Sequence, residues 1–384
     1  MIAPPPRWLA PVLSILLVTC VGTASVIGQE TKQPKESTLQ ITTTVWGKTP
    51  QGEEVHLFKL TSADGAAVEL TDWGGTLVSV HVPDTQGKLA NVNLGFPALE
   101  GYLQRHPFFG STVGRFCNRI GLGKFSLDGR QYTLATNNMG NHLHGGNVGF
   151  DAQLWRATEV RLEDRVGVRL SLVSPDGDEG YPGRLETTAL YTWNNDHELT
   201  CTFIATTDKP TVVNLTNHAY WNLAGAGSGK ILEHLLEVDA DQYLEVNETL
   251  VPTGKFLDVA GTPLDFRKPR AIGESIDQLP ATKGYDHCYC VRGPAGQLRR
   301  GARAVDPRSG RAMEVWTTQP GMQLYTGNHL GGNAASGGFG GHDGFCLETQ
   351  HYPDAPNRPE FPSTRLDVGR ELRETTVYRF LVDR

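Results

Sequence analysis

Four short segments concentrate the side chains able to move protons or hold a polar ligand. They are Gly114-Arg115-Phe116-Cys117-Asn118-Arg119-Ile120, Asn141-His142-Leu143-His144-Gly145-Gly146, the stretch from Asn214 to Leu223 with Asn217-His218-Ala219-Tyr220 inside it, and Gly344-Phe345-Cys346-Leu347-Glu348-Thr349-Gln350. Each sets amide, guanidinium, imidazole or carboxylate groups among apolar or glycine neighbours. Such groups are costly to bury unless they find hydrogen-bond partners. One economical arrangement makes them partners of each other around a polar ligand, and a hydroxyl-rich sugar needs this mixture. An imidazole and a carboxylate, with ordinary pKa values of about 6.5 and 4.3, also form a workable acid–base pair. Each such group contributes about 10²–10⁴-fold to a rate.

Other chemistries are poorly supplied. No G-x-S-x-G elbow offers a hydrolase nucleophile. Gly229-Lys230 is followed by Ile231 where a phosphate-binding loop needs Ser or Thr, and Ala224 to Gly229 lacks dinucleotide spacing. His142 and His144 form an H-x-H pair, which on a strand would put both rings on one face as a zinc site can. No further spaced ligand pair accompanies it, so no metal and no cofactor is expected. The net charge of -7 offers no basic footprint for nucleic acid or anionic lipid. A neutral or weakly polar small molecule suits it better. Asn214-Leu215-Thr216 and Asn247-Glu248-Thr249 fit glycosylation sequons and are read as chance matches.

The elements that must position these groups read as strands. Val78, Val80 and Val82 alternate with polar neighbours, as do Val166, Val168, Leu170 and Leu172. Tyr191 and Trp193 alternate into Asn194-Asn195-Asp196, after which Leu199, Cys201 and Phe203 alternate again. That pattern predicts a hairpin whose turn uses the tolerance of Asn and Asp for left-handed geometry. Short strands, frequent turn residues and 44 glycines indicate an all-β sandwich or barrel. No linker divides the 384 residues. The glycine-rich stretch Gly331 to Gly341 reads as a flexible surface loop, or as a lip beside a site, because it directly precedes the segment carrying Glu348.

The N-terminus reads as a leader. Arg7 gives a positive start, Trp8 to Val21 is mostly apolar, and small residues follow through Gly22, Thr23, Ala24 and Ser25. The run is short for a bilayer span, which needs about 20 apolar residues. Residues 1–28 are therefore assigned as an export signal, 29–40 as a disordered lead-in and 41–384 as a single β domain. The expected location is periplasmic or extracellular, with no membrane insertion once the leader is cleaved. Thr19 before Cys20 is larger than the usual residue of a lipid-attachment site. Five of the six cysteines lie beyond the leader. An odd number over so long a chain predicts mostly free, buried thiols, and Cys288 and Cys290 should share one face of a strand.

Taken in order, Asn118-Arg119, Leu143-His144-Gly145-Gly146, Asn217-His218-Ala219-Tyr220, Tyr285-Asp286-His287, Thr318-Gln319-Pro320-Gly321 and Leu347-Glu348-Thr349-Gln350, with the turn from Ser174 to Gly183, resemble the aldose 1-epimerase (galactose mutarotase) family. The resemblance runs from about Thr42 to Phe380. It implies a large antiparallel β supersandwich, no cofactor, and a free aldose as partner, and it leaves the oligomeric state open. It implies that Glu348 is the general base at the anomeric hydroxyl and His218 the general acid at the ring oxygen. His144 would add a hydrogen bond nearby. Asn118, Arg119, Asp286 and Gln319 would hold sugar hydroxyls, and Tyr220 would line the pocket. Two departures stand out. Many family members lack an export leader, and Cys117 sits where a small residue such as Ala is common.

Overall fold

The alternation at Val166, Val168, Leu170 and Leu172 becomes the strand Arg165–Ser174, with those four side chains buried. In the computed structural model, which describes residues 39–383, this strand pairs antiparallel with Leu185–Asn194, setting Val168 opposite Tyr191 and Val166 opposite Trp193. Leu185–Asn194 in turn pairs with Glu198–Thr207, so the expected hairpin forms. Its turn works differently from the expectation. The left-handed residue is His197, with φ 56°. Asn194 contributes through its side chain, whose oxygen accepts the backbone N–H groups of Asp196 at 3.1 Å and Glu198 at 2.9 Å.

These strands belong to a nine-stranded antiparallel sheet. Leu372–Val382, the last strand of the chain, sits inside it between Glu198–Thr207 and Arg311–Thr317. A five-stranded meander runs from Gln40–Lys48 to Leu89–Asn91. A second five-stranded sheet, ordered Pro252–Asp258, Ala240–Val246, Asp286–Val291, Gly321–Tyr325 and Cys346–Gln350, carries much of the polar machinery. One apolar core joins residues from all three sheets, from Phe58 and Val80 through Val168, Tyr191 and Trp193 to Tyr289, Leu347 and Tyr378. Each large apolar side chain so buried stabilises the fold by about 1.5–3 kcal/mol. The architecture is the all-β antiparallel sandwich anticipated from the resemblance.

The strand Thr76–Pro83 departs from simple alternation. A β-bulge opposite Glu69 and Leu70 shifts its parity. Leu77, Val80 and Val82 face the main core, whereas Val78 turns into a second cluster with Leu94, Phe96, Tyr102, Phe109 and Tyr220. The Gly331 to Gly341 segment is tied down against that cluster. Gly331 bridges Gly340, Asn333 and Ser336 cap each other's backbone groups, and Phe339 sits edge-on to Phe109 at 5.9 Å. It supports the wall behind Tyr220 and is not a free lip.

The five described cysteines are free, four of them buried and Cys290 half-buried. Cys288 and Cys290 leave one face of Asp286–Val291, as expected. The strand beginning at Gln40 starts within the expected lead-in; the leader and the lead-in up to Thr38 lie outside the described residues. Among the described residues no helix is long and apolar enough to cross a membrane.

Candidate active site

Strands and the loops between them bring the polar segments together. Cys346–Gln350 pairs with Gly321–Tyr325, setting Gln323 opposite Glu348. His218 follows the short strand Thr216–Asn217, which pairs with Thr112–Val113. Its backbone N–H donates to the Ser111 carbonyl at 3.0 Å, and its carbonyl accepts from the Gly110 N–H at 2.9 Å. The Asn217 amide adds bonds to the Gly110 carbonyl at 2.6 Å and the Tyr191 hydroxyl at 3.0 Å. The imidazole of His218 is held between two aromatic rings. Tyr220 stacks on it at 4.9 Å with 15° between planes, and Phe108 at 5.9 Å with 17°.

The loop from Leu143 to Gly146 completes the enclosure, and its glycines have a specific use. Gly145 has φ 87°, and a side chain there would run into the Gly114 carbonyl oxygen at 1.9 Å. The close approach orients His144, itself at φ 52°, so that its Nδ1 accepts the Asn118 backbone N–H at 3.1 Å. Burial holds the His144 pKa well below its ordinary value, so the ring is neutral. With Nδ1 accepting, its proton resides on Nε2.

The resulting pocket, of about 200 Å³, is lined by Asn118, Arg119, His144, His218, Tyr220, Asp286 and Glu348 among others. Seven of the eight side chains expected at a site therefore converge. Gln319 does not. It is buried beneath the sheet, where its amide donates to the carbonyls of Leu215 at 3.3 Å and Thr349 at 3.0 Å. Its role is to brace the strand that carries Glu348. The residue on that stretch which does reach the pocket is Gln323, whose amide donates to Asp286 Oδ1 at 2.6 Å. Alternation gave a usable signal: Met322 and Leu324 are buried in the core, so Gln323 must leave the other face. Tyr325 and Phe108 also line the pocket. Phe108, with φ 61° after Pro107, had no pattern to reveal it.

His142 parts company with His144. Their strand is only His142–Leu143, so alternation ends before His144 and the two rings do not share a face. His142 bonds the Ala135 carbonyl through Nδ1 at 2.8 Å and the Tyr181 hydroxyl through Nε2 at 2.6 Å. A different trio, His144, His218 and Glu348, offers possible ligand atoms within 4.8 Å of one another. The His144 bond weakens the case for a cation there. Metal-bound histidines donate through their second nitrogen, whereas Nδ1 of His144 accepts. Asn214 of the first sequon is fully buried and bonded through its side chain to the backbone of Cys117 and His351, so in the fold it serves structure.

Electrostatically, the heart of the pocket is a carboxyl and an imidazole that share little solvent. His218 Nε2 lies 3.7 Å from Glu348 Oε1, and Glu348 Oε2 has no protein partner. Burial pushes the Glu348 pKa up to about 8, with the Asp286 charge adding to the rise and Arg119 opposing it. Burial pulls the His218 pKa down to about 3. Near neutral pH the pair thus holds one proton. It can donate at one atom and accept at another, which is the requirement for moving a proton between two oxygens of one ligand. A neighbouring cavity of about 250 Å³, with Trp73, Arg105 and Asp151 in its walls, shares Phe108 with this pocket.

Known proteins resemble the chain over most of its length. The sequence profile of the family described as aldose 1-epimerase matches residues 56–379. The galactose mutarotase of Bos taurus is 46% identical over 348 residues, covering 90% of this chain and 99% of that protein. The aldose 1-epimerase of Escherichia coli (strain K12) is 36% identical over 341 residues, covering 87% and 97%. Among solved structures, galactose 1-epimerase from Lactobacillus acidophilus NCFM matches with a TM-score of 0.81 at 28% identity, covering 90% of this chain and all of that one.

Proposed function

The chain belongs to the aldose 1-epimerase family and interconverts the anomers of aldoses; we propose that free hexoses such as galactose and glucose are its substrates and that Glu348 and His218 move the protons. The observation that carries this reading is the buried Glu348–His218 pair at 3.7 Å, with the free carboxyl oxygen facing a polar pocket. Ring opening begins when Glu348, as carboxylate, takes the proton of the anomeric hydroxyl. His218, as imidazolium, gives its proton to the ring oxygen. The bond between C1 and the ring oxygen breaks, leaving a carbonyl at C1 and a hydroxyl at C5. After rotation about the C1–C2 bond the hydroxyl attacks the other carbonyl face. Its proton returns to His218, and Glu348 reprotonates the new anomeric oxygen. Both groups end as they began.

In the empty pocket burial favours the proton on Glu348 and a neutral His218. Arg119 and incoming sugar hydroxyls favour the carboxylate, so sugar binding draws the proton across to the imidazole. His144, with its proton on Nε2, donates a fixed hydrogen bond, while Asn118, Arg119 and Asp286 hold further hydroxyls. Proton transfer suffices for this chemistry, so the reaction should proceed unchanged under a chelator.

Polarimetry or NMR starting from pure α-galactose and α-glucose tests the reading. The rate should exceed that of buffer alone. Because the one-proton state of the pair is the working one, kcat/KM should fall by about tenfold per pH unit above about 8. Tight sugar binding with no acceleration would instead indicate a noncatalytic carbohydrate-binding protein. The proposed place of action is outside the cytoplasm, periplasmic or extracellular, on the strength of the leader sequence. Mass spectrometry of soluble protein from its native host should find the N-terminus beyond the small residues at Gly22 to Ser25; an intact Met1 would contradict export by cleavage.

A further inference from the structure

Cys346 lies two residues before Glu348 on one strand, so their side chains leave the same face. Both meet the same imidazole. Glu348 Oε1 stands 3.7 Å from His218 Nε2, and Cys346 Sγ stands 3.6 Å from His218 Nδ1. The sulfur is fully buried, and burial with the charges of Glu348 and Asp286 pushes the thiol pKa well above its ordinary value. It therefore remains S–H at any working pH.

We infer that Cys346 is a positioning residue for the acid: its sulfur holds the Nδ1–H of His218 in both protonation states, so that Nε2 is the atom that gains a proton and gives it to the sugar ring oxygen. The inference rests on His218 acting as the acid. A thiol is a weak donor and a weak acceptor on one rotor. Toward neutral His218 the S–H points away and sulfur accepts from Nδ1–H, which leaves Nε2 free to take the proton of Glu348 across 3.7 Å. The imidazolium keeps the same Nδ1–H to sulfur, so the proton gained and later given to the ring oxygen is the one on Nε2. No proton leaves sulfur in either state, so no buried thiolate is required. A carboxylate in this position would stabilise the imidazolium and hold its proton too tightly. A backbone carbonyl would also hold Nδ1–H but, as a stronger acceptor than a thiol, would make the Nε2 proton harder to give up. The aromatic rings of Tyr220 and Phe108 fix the plane of the imidazole but not which edge carries the proton. That choice falls to the group at Nδ1.

The test combines kinetics with the imidazole nitrogen spectrum. In Cys346→Ala, kcat should fall by about tenfold, the scale of one hydrogen bond, while KM changes less than about twofold because no hydroxyl-holding side chain is altered. Cys346→Ser, which keeps a rotor that both donates and accepts, should recover part of the loss. In the unaltered protein, ¹⁵N NMR of free enzyme near pH 7 should find His218 as the Nδ1–H form, and Cys346→Ala should contain a mixture of tautomers. The spectrum of the unaltered protein tests the idea even if Cys346→Ala fails to fold. An Nε2–H tautomer there would overturn the inference, as would a folded Cys346→Ala with unchanged kcat. Full turnover in folded His218→Asn would remove the acid role itself, a failure distinguishable from that of Cys346 alone.

Discussion

Arg115 and Arg119 stand four residues apart in one segment, and His142 and His144 two apart in another, yet each pair divides between two buried polar clusters. In the first cluster the terminal nitrogens of Arg115 donate to the carbonyls of Pro182 at 2.9 Å, Gly183 at 2.8 Å, and Ser174 and Pro175 at 3.1 Å. His142 uses both ring nitrogens on Ala135 and Tyr181. In the second cluster Arg119 makes one long side-chain bond, 3.5 Å to Asn118 Oδ1, and its Nε has no partner. His144 commits one nitrogen and leaves the other facing the pocket. The residue types are the same. Apart from the unpartnered Arg115 Nε, the first cluster spends its hydrogen bonds within the chain and fixes the turn from Ser174 to Gly183; the second leaves more of its capacity open for a ligand. Unmet hydrogen-bonding capacity in a buried cluster is costly to maintain, and in this pocket it includes Arg119 Nε and Glu348 Oε2.

The strongest way to break this contrast is to alter the open cluster at its centre. Glu348→Gln keeps size and hydrogen bonding but cannot accept the anomeric proton, and His218→Asn removes the titrating donor. Each should lower turnover by about 10²–10⁴-fold with much smaller loss of sugar affinity. The double variant should lose less than the product of the single losses, because both groups serve one proton-transfer cycle. Stability should move the other way in Glu348→Gln. The folded carboxyl titrates near 8 against an ordinary value of 4.5. A carboxyl raised in the fold contributes stability below 4.5 and loses it as pH climbs through 8. Gln does not ionise, so the variant should melt above the parent by a margin that opens between those limits. Near-normal turnover in folded Glu348→Gln would exclude it as the base.

The sequence revealed the strands and the converging segments more fully than it revealed what each side chain does. Alternation at Val166 to Leu172 depends on local pattern and core burial, and it held. At Val78 it failed because a bulge is a property of two paired strands, visible only in register. Gln319 and Gln323 show the same limit within a single strand region. Both are polar and near the Pro320-Gly321 turn, but Gln319 lies before the strand Gly321–Tyr325 and packs under the sheet, whereas Gln323 lies within it and enters the pocket. Phe108 was illegible for a different reason. An aromatic residue next to another, Phe109, has no periodicity to say which is core and which covers an imidazole. The assignment of His144 came from the family resemblance, and its orientation depends on a left-handed backbone and a contact with Asn118, neither of which spacing encodes.

The two arginines allow the contrast to be sharpened with modest changes. Arg115→Met keeps an apolar stem of similar length but leaves the carbonyls of Ser174, Pro175, Pro182 and Gly183 without their donor in a buried space. Unsatisfied buried acceptors cost about 1–3 kcal/mol each, partly relieved by water or rearrangement, so a loss of about 3 kcal/mol or more is expected. Thermal unfolding should show a drop of several degrees, and the surviving folded enzyme should retain nearly normal KM. Arg119→Ala should do the reverse. Its guanidinium makes only the 3.5 Å bond to Asn118, so little folding energy is lost. The sugar loses a donor, and KM should rise. Arg119 also restrains the upward shift of Glu348, so its removal should raise that carboxyl further and move the alkaline limb of the kcat/KM profile to higher pH. Measuring melting temperature, KM and the pH profile on both variants separates the roles. If Arg119→Ala melts as low as Arg115→Met, or if Arg115→Met raises KM as much as Arg119→Ala, then the two clusters are not divided between structure and ligand.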